Sequence, residues 1–154
     1  MSKIYWEKMS DLEIKIVDYA EAMTEIKAIR HQVFTVEQGV EPTLEFDGKD
    51  HTAQHLLAYF NSQPVGTARI RYLSPQTAKI ERLAVLSTAR GGGIGRKLME
   101  AALDVIASKK VKETVIHAQE YIKQLYHNLG FHQVGERFDE AGISHVKMIK
   151  KMSV

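Results

Sequence analysis

The sequence predicts an α/β chain in which one mixed sheet carries helices packed on it, in the order β-α-β-β-β-α-β-α-β-β. Three observations carry that expectation. Apolar residues alternate with polar ones, or run in short β-rich stretches bounded by turn residues, at seven places. One long segment, Gly93 to Ser108, has a strong helical stripe. Strand-like and helix-like segments interleave rather than segregate, which calls for helices laid on a sheet.

Taken in order, Leu12 to Val17 reads as a strand with Leu12, Ile14 and Ile16 on one face. Asp18 can cap the helix that follows, along which Met23, Ile26, Ile29, Val33 and Phe34 recur at helical spacing. Glu41-Pro42-Thr43 and Asp47-Gly48 break the pattern, so residues 39–52 are expected to be mostly loop. Gln54 to Phe60 and Pro64 to Leu73 form a hairpin around Asn61-Ser62-Gln63, and Gln76 to Leu86 is a further strand. In the helix Gly93 to Ser108 the stripe is Ile94, Leu98, Ala101, Ala102, Val105 and Ile106. Glu113 to His117 is a short buried strand, and Glu120 to Leu129 is a helix that Gly130 ends. Phe131 to Phe138 and Ile143 to Ile149 close the chain as a hairpin around Glu140-Ala141-Gly142.

Composition narrows the function classes. A chain of 154 residues without a linker, repeat or low-complexity stretch is expected to be a single domain over residues 1–154. It has no cysteine, which excludes disulfides, thiolate metal sites and a cysteine nucleophile, and agrees with a cytoplasmic location. The first residues lack the long apolar core of a secretion signal, and no apolar run approaches the roughly 20 residues of a membrane span. With 21 basic and 19 acidic residues the net charge is +2, too balanced to predict a nucleic-acid partner. His51 and His55 have metal-like spacing, but no third ligand stands out and no metal is expected.

The sharpest feature is the stretch from Leu83 to Leu98, where a strand runs through Arg90-Gly91-Gly92-Gly93-Ile94-Gly95 into a helix. The first turn of a helix has unpaired N–H groups and a partial positive charge, and glycines let that backbone come close to a ligand. Arg90, Arg96 and Lys97 add full charges. The combination is an anion site suited to a pyrophosphate. It is not a Walker loop, because no Gly-Lys-Ser/Thr follows, and Gly93-Ile94-Gly95-Arg96-Lys97-Leu98 lacks the third glycine of a Rossmann fingerprint.

Arg90-x-x-Gly93-x-Gly95 after Ile80-Glu81-Arg82-Leu83-Ala84-Val85 resembles the acetyl-CoA motif of the GNAT superfamily of N-acetyltransferases. Leu125-Tyr126-His127-Asn128-Leu129-Gly130-Phe131 resembles that family's second motif, a helix ending in Gly-Phe. The resemblance spans nearly the whole chain. It implies a mostly antiparallel sheet that splays open between the Gln76–Leu86 and Glu113–His117 strands, with the pantetheine arm of acetyl-CoA in the opening. It further implies that Leu83, Ala84 and Val85 present backbone groups to that arm, that Gly91, Gly92, Gly93, Ile94, Gly95 and Arg96 hold the pyrophosphate, and that Gln119 and Tyr126 complete the cofactor site. No metal enters this chemistry, and a homodimer is a family-level expectation.

Acetyl transfer from a thioester to an amine needs a neutral amine, donors for the developing oxyanion and a proton for the leaving thiolate. The resemblance gives a strand amide near Leu83 or Ala84 the second role and Tyr126 the third, as general acid. Glu81 alternates with Leu83 and Val85, so all three are expected on one strand face. There Glu81 is either the general base, acting through water, or a surface carboxylate beside Arg82. His117, at the end of the next strand, is either a packed residue or a titrating one. On the acceptor side, Arg30 and Phe34 fall where the family builds its pocket floor. Arg69 and Arg71 share a strand face and either grip a substrate carboxylate or pair with acids. The acceptor expected from these residues is a small polar amine, such as an amino acid. Two other functions compete: a non-catalytic acetyl-CoA-binding regulatory protein, and an acyltransferase like the acyl-homoserine-lactone synthases, which Arg30-x-x-x-Phe34 and Glu45-x-Asp47 faintly resemble.

Overall fold

A computed structural model describes residues 5–9 and 11–153. Eight strands form one sheet: β1 (Tyr5–Met9), β2 (Leu12–Val17), β3 (Gln54–Phe60), β4 (Gln63–Ser74), β5 (Thr77–Val85), β6 (Glu113–Gln119), β7 (His132–Glu140) and β8 (Ile143–Lys151). Their order across the sheet is β1-β2-β3-β4-β5-β6-β8-β7, and every neighbouring pair is antiparallel except β5 with β6. The seven expected strands are present within a few residues of their expected ends. β1 was not expected.

The helices are α1 (Tyr19–Arg30), α2 (Pro42–Glu45), α3 (Ile94–Ala107) and α4 (Lys123–Asn128). Asp18 caps α1 as its position suggested, its Oδ1 accepting from the N–H of Ala20 at 3.0 Å. A wide π-helical stretch, His31–Glu37, continues α1, and Gln38 N–H reaches back five residues to the Val33 carbonyl. α2 falls in the expected loop, with Pro42 at its first turn, where the missing N–H costs nothing. The helix expected over 120–129 begins as a 3₁₀ turn, Glu120–Ile122, before α4, and Gly130 follows at φ +95°.

Alternation along β3 divides the core. Leu56 and Ala58 face α3 and its buried stripe Ile94, Leu98, Met99, Ala101, Ala102 and Ile106. Leu57 and Tyr59 face α1, through Tyr19, Ala22, Ile26 and Ile29. Burying one large aliphatic side chain contributes roughly 1.5–3 kcal/mol, so both layers hold firmly to the sheet. α3 lies close because β4 carries Gly66, where a Cβ would sit 3.0 Å from Leu98 Cδ1 and 3.3 Å from the Ala84 carbonyl oxygen.

Two irregularities shape the functional region. β5 and β6 pair only from Thr77–Glu113 to Lys79–Val115 and then diverge. β5 also carries a bulge: Arg69 pairs with Glu81 and Thr67 with Ala84, so three steps on β5 answer two on β4. Arg82 takes up the extra residue at φ +57°. The bulge corrects the expectation that Glu81 shares a face with Leu83 and Val85. Ala84 packs on the α1 side, while Leu83 and Val85 pack on the α3 side.

Candidate functional site

Where β5 and β6 part, a cleft of about 970 Å³ opens. Leu83, Ala84 and Val85 form one wall and Ile116, His117 and Gln119 the other. At one end lies the glycine loop. Gly93 caps α3 at φ +82° with no side-chain capping bond, so the first-turn N–H groups of α3 are left for other partners. Gly91, at φ +90°, and Gly93 adopt a left-handed backbone that side chains disfavour. Gly92 does not, and a Cβ there would meet no atom within 4 Å. Ile94, Gly95 and Arg96 also line the cleft, and Gly92 is the one expected cofactor residue that does not. An uncapped, glycine-lined helix start opening into a long slot fits the phosphates of acetyl-CoA and an arm running toward the strand junction.

Two side-chain bridges span the slot. Arg90 donates from Nε to the Val85 carbonyl at 2.9 Å and pairs with Glu37 at 2.8 Å, so the carbonyl expected to meet the cofactor already has a partner. Gln119 donates to Gln38 at 3.0 Å. Tyr126 lines the slot, 6 % exposed, its ring edge-on to Phe131 at 6.3 Å. Burial, with a smaller contribution from Tyr121, pushes its hydroxyl pKa well above the usual tyrosine value, so it holds its proton.

The acceptor side is built on buried charge. Arg30, 1 % exposed, donates to both carboxylate oxygens of Glu45, at 2.7 and 2.6 Å, and to Asp50 at 2.6 Å. Arg69 is fully buried and donates to Asp47 at 2.8 and 2.9 Å, to Asp50 at 2.9 Å and to Glu81. Arg71 donates to Glu81 at 2.5 Å, and Lys79 lies 3.4 Å from the same carboxylate. Arg82 ties the bulge to the α2 segment through the Glu45 carbonyl and Asp47. These pairs hold residues 42–50 to the sheet where regular secondary structure is sparse.

The network corrects two expectations. Arg30 and Arg69 are not carboxylate readers: neither lines the cleft, and both guanidinium groups are spent on internal acids. Arg71 and Phe34 do line it, Arg71 already engaged by Glu81. Glu81 is not placed as a base. Burial alone would raise its pKa, but the hydrogen bond from Arg71 and the charges of Arg69 and Lys79 outweigh burial and bring it to about 2. A carboxylate that weakly basic cannot draw a proton from an ammonium near neutral pH.

Sequence reasoning named His117, as either packed or titrating, but missed the Glu140 and His145 that join it in a cluster lining the cleft. His117 Nδ1 lies 3.0 Å from Glu140 Oε1, His145 Nε2 lies 3.8 Å from Glu140 Oε2, and all three side chains line the cleft. Phe138 packs against both imidazoles. The available signal was the β7–β8 hairpin, whose register sets Glu140 opposite Ile143 and His145 opposite Phe138. Read as a turn alone, Glu140-Ala141-Gly142 concealed it. Among the described residues no group of three or more metal-ligating side chains is placed to hold a metal, and no helix is long and apolar enough to cross a membrane.

Comparisons with known proteins bear on the family and the fold. The model of the acetyltransferase (GNAT) domain matches residues 17–152. The Bacillus subtilis protein YyaT is 34% identical over 145 residues, covering 92% of this chain and 97% of its own. The crystal structure of an acyl-CoA N-acyltransferase from Pseudomonas aeruginosa superposes with a TM-score of 0.79 at 28% identity, over 90% of this chain and 99% of that one. Escherichia coli ElaA superposes with a TM-score of 0.81 at 27% identity, with the same coverage.

Proposed function

The chain belongs to the GNAT acetyltransferase family, and from that premise we propose that it moves an acetyl group from acetyl-CoA to the primary amine of a small polar acceptor, by direct attack while both are bound. The observation that carries this reading is the continuous cleft from the uncapped start of α3 to Tyr126 and the β5 bulge. The similarity to an acyl-CoA N-acyltransferase supports a coenzyme A thioester as donor.

Acetyl-CoA supplies an activated acyl group on a sulfur leaving group. The first-turn amides of α3, with Arg96 beside them, receive the pyrophosphate. The β5 bulge interrupts the pairing with β4 between Glu81 and Ala84, and we assign to a strand amide at that interruption, near Leu83 or Ala84, the donor role where the thioester carbonyl gains charge. Tyr126 keeps its proton and donates a hydrogen bond to the departing thiolate. With a pKa above that of a typical thiol, about 8.5, it steadies the thiolate and does not surrender the proton outright. The proton that finally caps sulfur comes from the attacking nitrogen.

The test is thiol release from acetyl-CoA with a panel of free amino acids, their amides and polyamines. Release that depends on an added amine, with the acetylated amine identified by mass, is the expected result. No release with any amine and no rise in Tm on adding acetyl-CoA would reject the reading. Amidation of an amino acid is expected to leave kcat/KM within a few-fold, because Arg30 and Arg69 are already occupied.

A further inference from the structure

We propose that His117 is the general base that frees the acceptor amine, with Glu140 as the residue that positions it; this rests on the acetyl-transfer reading above. Register locates the imidazole. Lys79 and Val115 are the last pair before β5 and β6 diverge, and Glu81 and His117 each lie two residues further along. Alternation therefore sets Glu81 and His117 on the same sheet face, across the opening from one another. An acceptor entering between the strands meets both. Glu81 is claimed by Arg69, Arg71 and Lys79, whereas His117, 27% exposed in its side chain, has an anion for a partner.

The bond to Glu140 decides the tautomer. An ionised carboxylate only accepts, so Nδ1 of His117 must donate, and in the neutral ring Nε2 then holds the lone pair. Glu140 stays ionised: the hydrogen bond from His117 lowers its pKa most, against burial, with His145 and Lys79 adding to the lowering. His145 is itself fixed, its Nδ1 donating to the Ile143 carbonyl at 2.7 Å. The charged and titratable groups around His117 are therefore Glu140 on β7, His145 and the register partner Lys147 on β8, and Lys79 and Glu81 on β5. Glu140 is the anion that touches the ring. The hairpin turn Ala141-Gly142, with φ +52° and +78°, holds the end of β7 in register with β8 and so keeps Glu140 in reach.

The step balances as follows. The ammonium gives one proton to Nε2 of His117, leaving a neutral amine and an imidazolium stabilised by Glu140. The amine nitrogen bonds to the thioester carbon and the C–S bond breaks. The second nitrogen proton passes to the sulfur, giving amide and free thiol, and His117 releases its proton to water.

Two measurements test this. Long-range ¹H–¹⁵N spectra of the imidazoles identify His117 by its absence in His117→Gln. The expected result is a neutral ring protonated at Nδ1 in the wild type, with that preference lost in Glu140→Gln as the accepting carboxylate goes. The second measurement is kcat/KM against pH with whichever panel amine is acetylated. It should fall in Glu140→Gln, recover in Glu140→Asp, and lose its acid limb in His117→Gln with a loss of roughly a hundredfold or more. An Nε2–H ring, or an acid limb unchanged in His117→Gln, overturns the base assignment while leaving acetyl transfer standing. If the wild-type chain acetylates no amine at all, both fall together.

Discussion

Arg69 shows how one side chain can be legible in identity and misleading in role. Its place on a strand beside Arg71 suggests a substrate clamp, yet it is fully buried under Asp47, Asp50 and Glu81. Removing one member of such a set leaves uncompensated buried charge. Arg69→Gln is expected to cost about 3–5 kcal/mol, which calorimetry should record as a fall in Tm of roughly 6–20 °C for a chain of this size, whatever happens to KM. The same set governs acid stability. Glu81 titrates at about 2 in the fold, below its ordinary value of 4.5. Its contribution is complete above pH 4.5 and is lost as pH falls toward 2, on the order of 3 kcal/mol. The midpoint of denaturant melts across that window should rise with pH in the wild type and rise less in Glu81→Gln. Tyr126→Phe keeps the ring and removes the hydroxyl. Turnover is expected to fall roughly ten- to a thousandfold as the thiolate loses that hydrogen bond, with acetyl-CoA binding little changed by calorimetric titration. Tyr126 was legible because Gly130-Phe131 marks its helix. The Glu81 environment was not, because its cations come from β4 and β5 by pairing across strands, which no local spacing reveals.

Elements were easier to read than their irregularities. The stripe of α3 and the alternation of β2 and β3 are periodic, and periodicity survives without tertiary information. The β5 bulge has no such signature: Arg82 sits in a left-handed conformation that its residue type does not advertise. One inserted residue exchanged the faces of everything after it, which is why Glu81 parted from Leu83. β1 and α2 escaped because each is short and takes its order from neighbours. The glycine loop separates conformation from charge. Gly95 lies in the first turn of α3, lines the cleft and has an ordinary backbone, with only Val85 Cγ2 at 3.9 Å from an added Cβ, so Gly95→Asp adds an anion with little strain. It is expected to weaken acetyl-CoA binding at least tenfold relative to Gly95→Ala. Equal affinities in the two variants would remove the pyrophosphate from this loop. Gly66 works in the opposite sense. A Cβ there presses on Leu98 and on the Ala84 carbonyl, so Gly66→Ala should cost about 1–3 kcal/mol in denaturant melts, without a change in the loop.

At the scale of the whole molecule, the sheet is two blocks that meet at a narrow seam. The first holds β1 to β5 with α1, the second β6, β8 and β7; their backbones pair only from Thr77–Glu113 to Lys79–Val115, while the core beneath α3 also takes Ile116, Val146 and Met148 from the second. A seam that short is a natural boundary between cooperative opening units, and amide hydrogen exchange reads such boundaries directly. In the free chain, β6 and β8 should exchange as one group and β3 and β4 as another, with separate opening free energies. A ligand lying along the cleft touches both blocks and must be released before either can open alone. With acetyl-CoA bound, the two groups of amides should therefore slow together and converge on one shared rate, a fusion of two folding units into one.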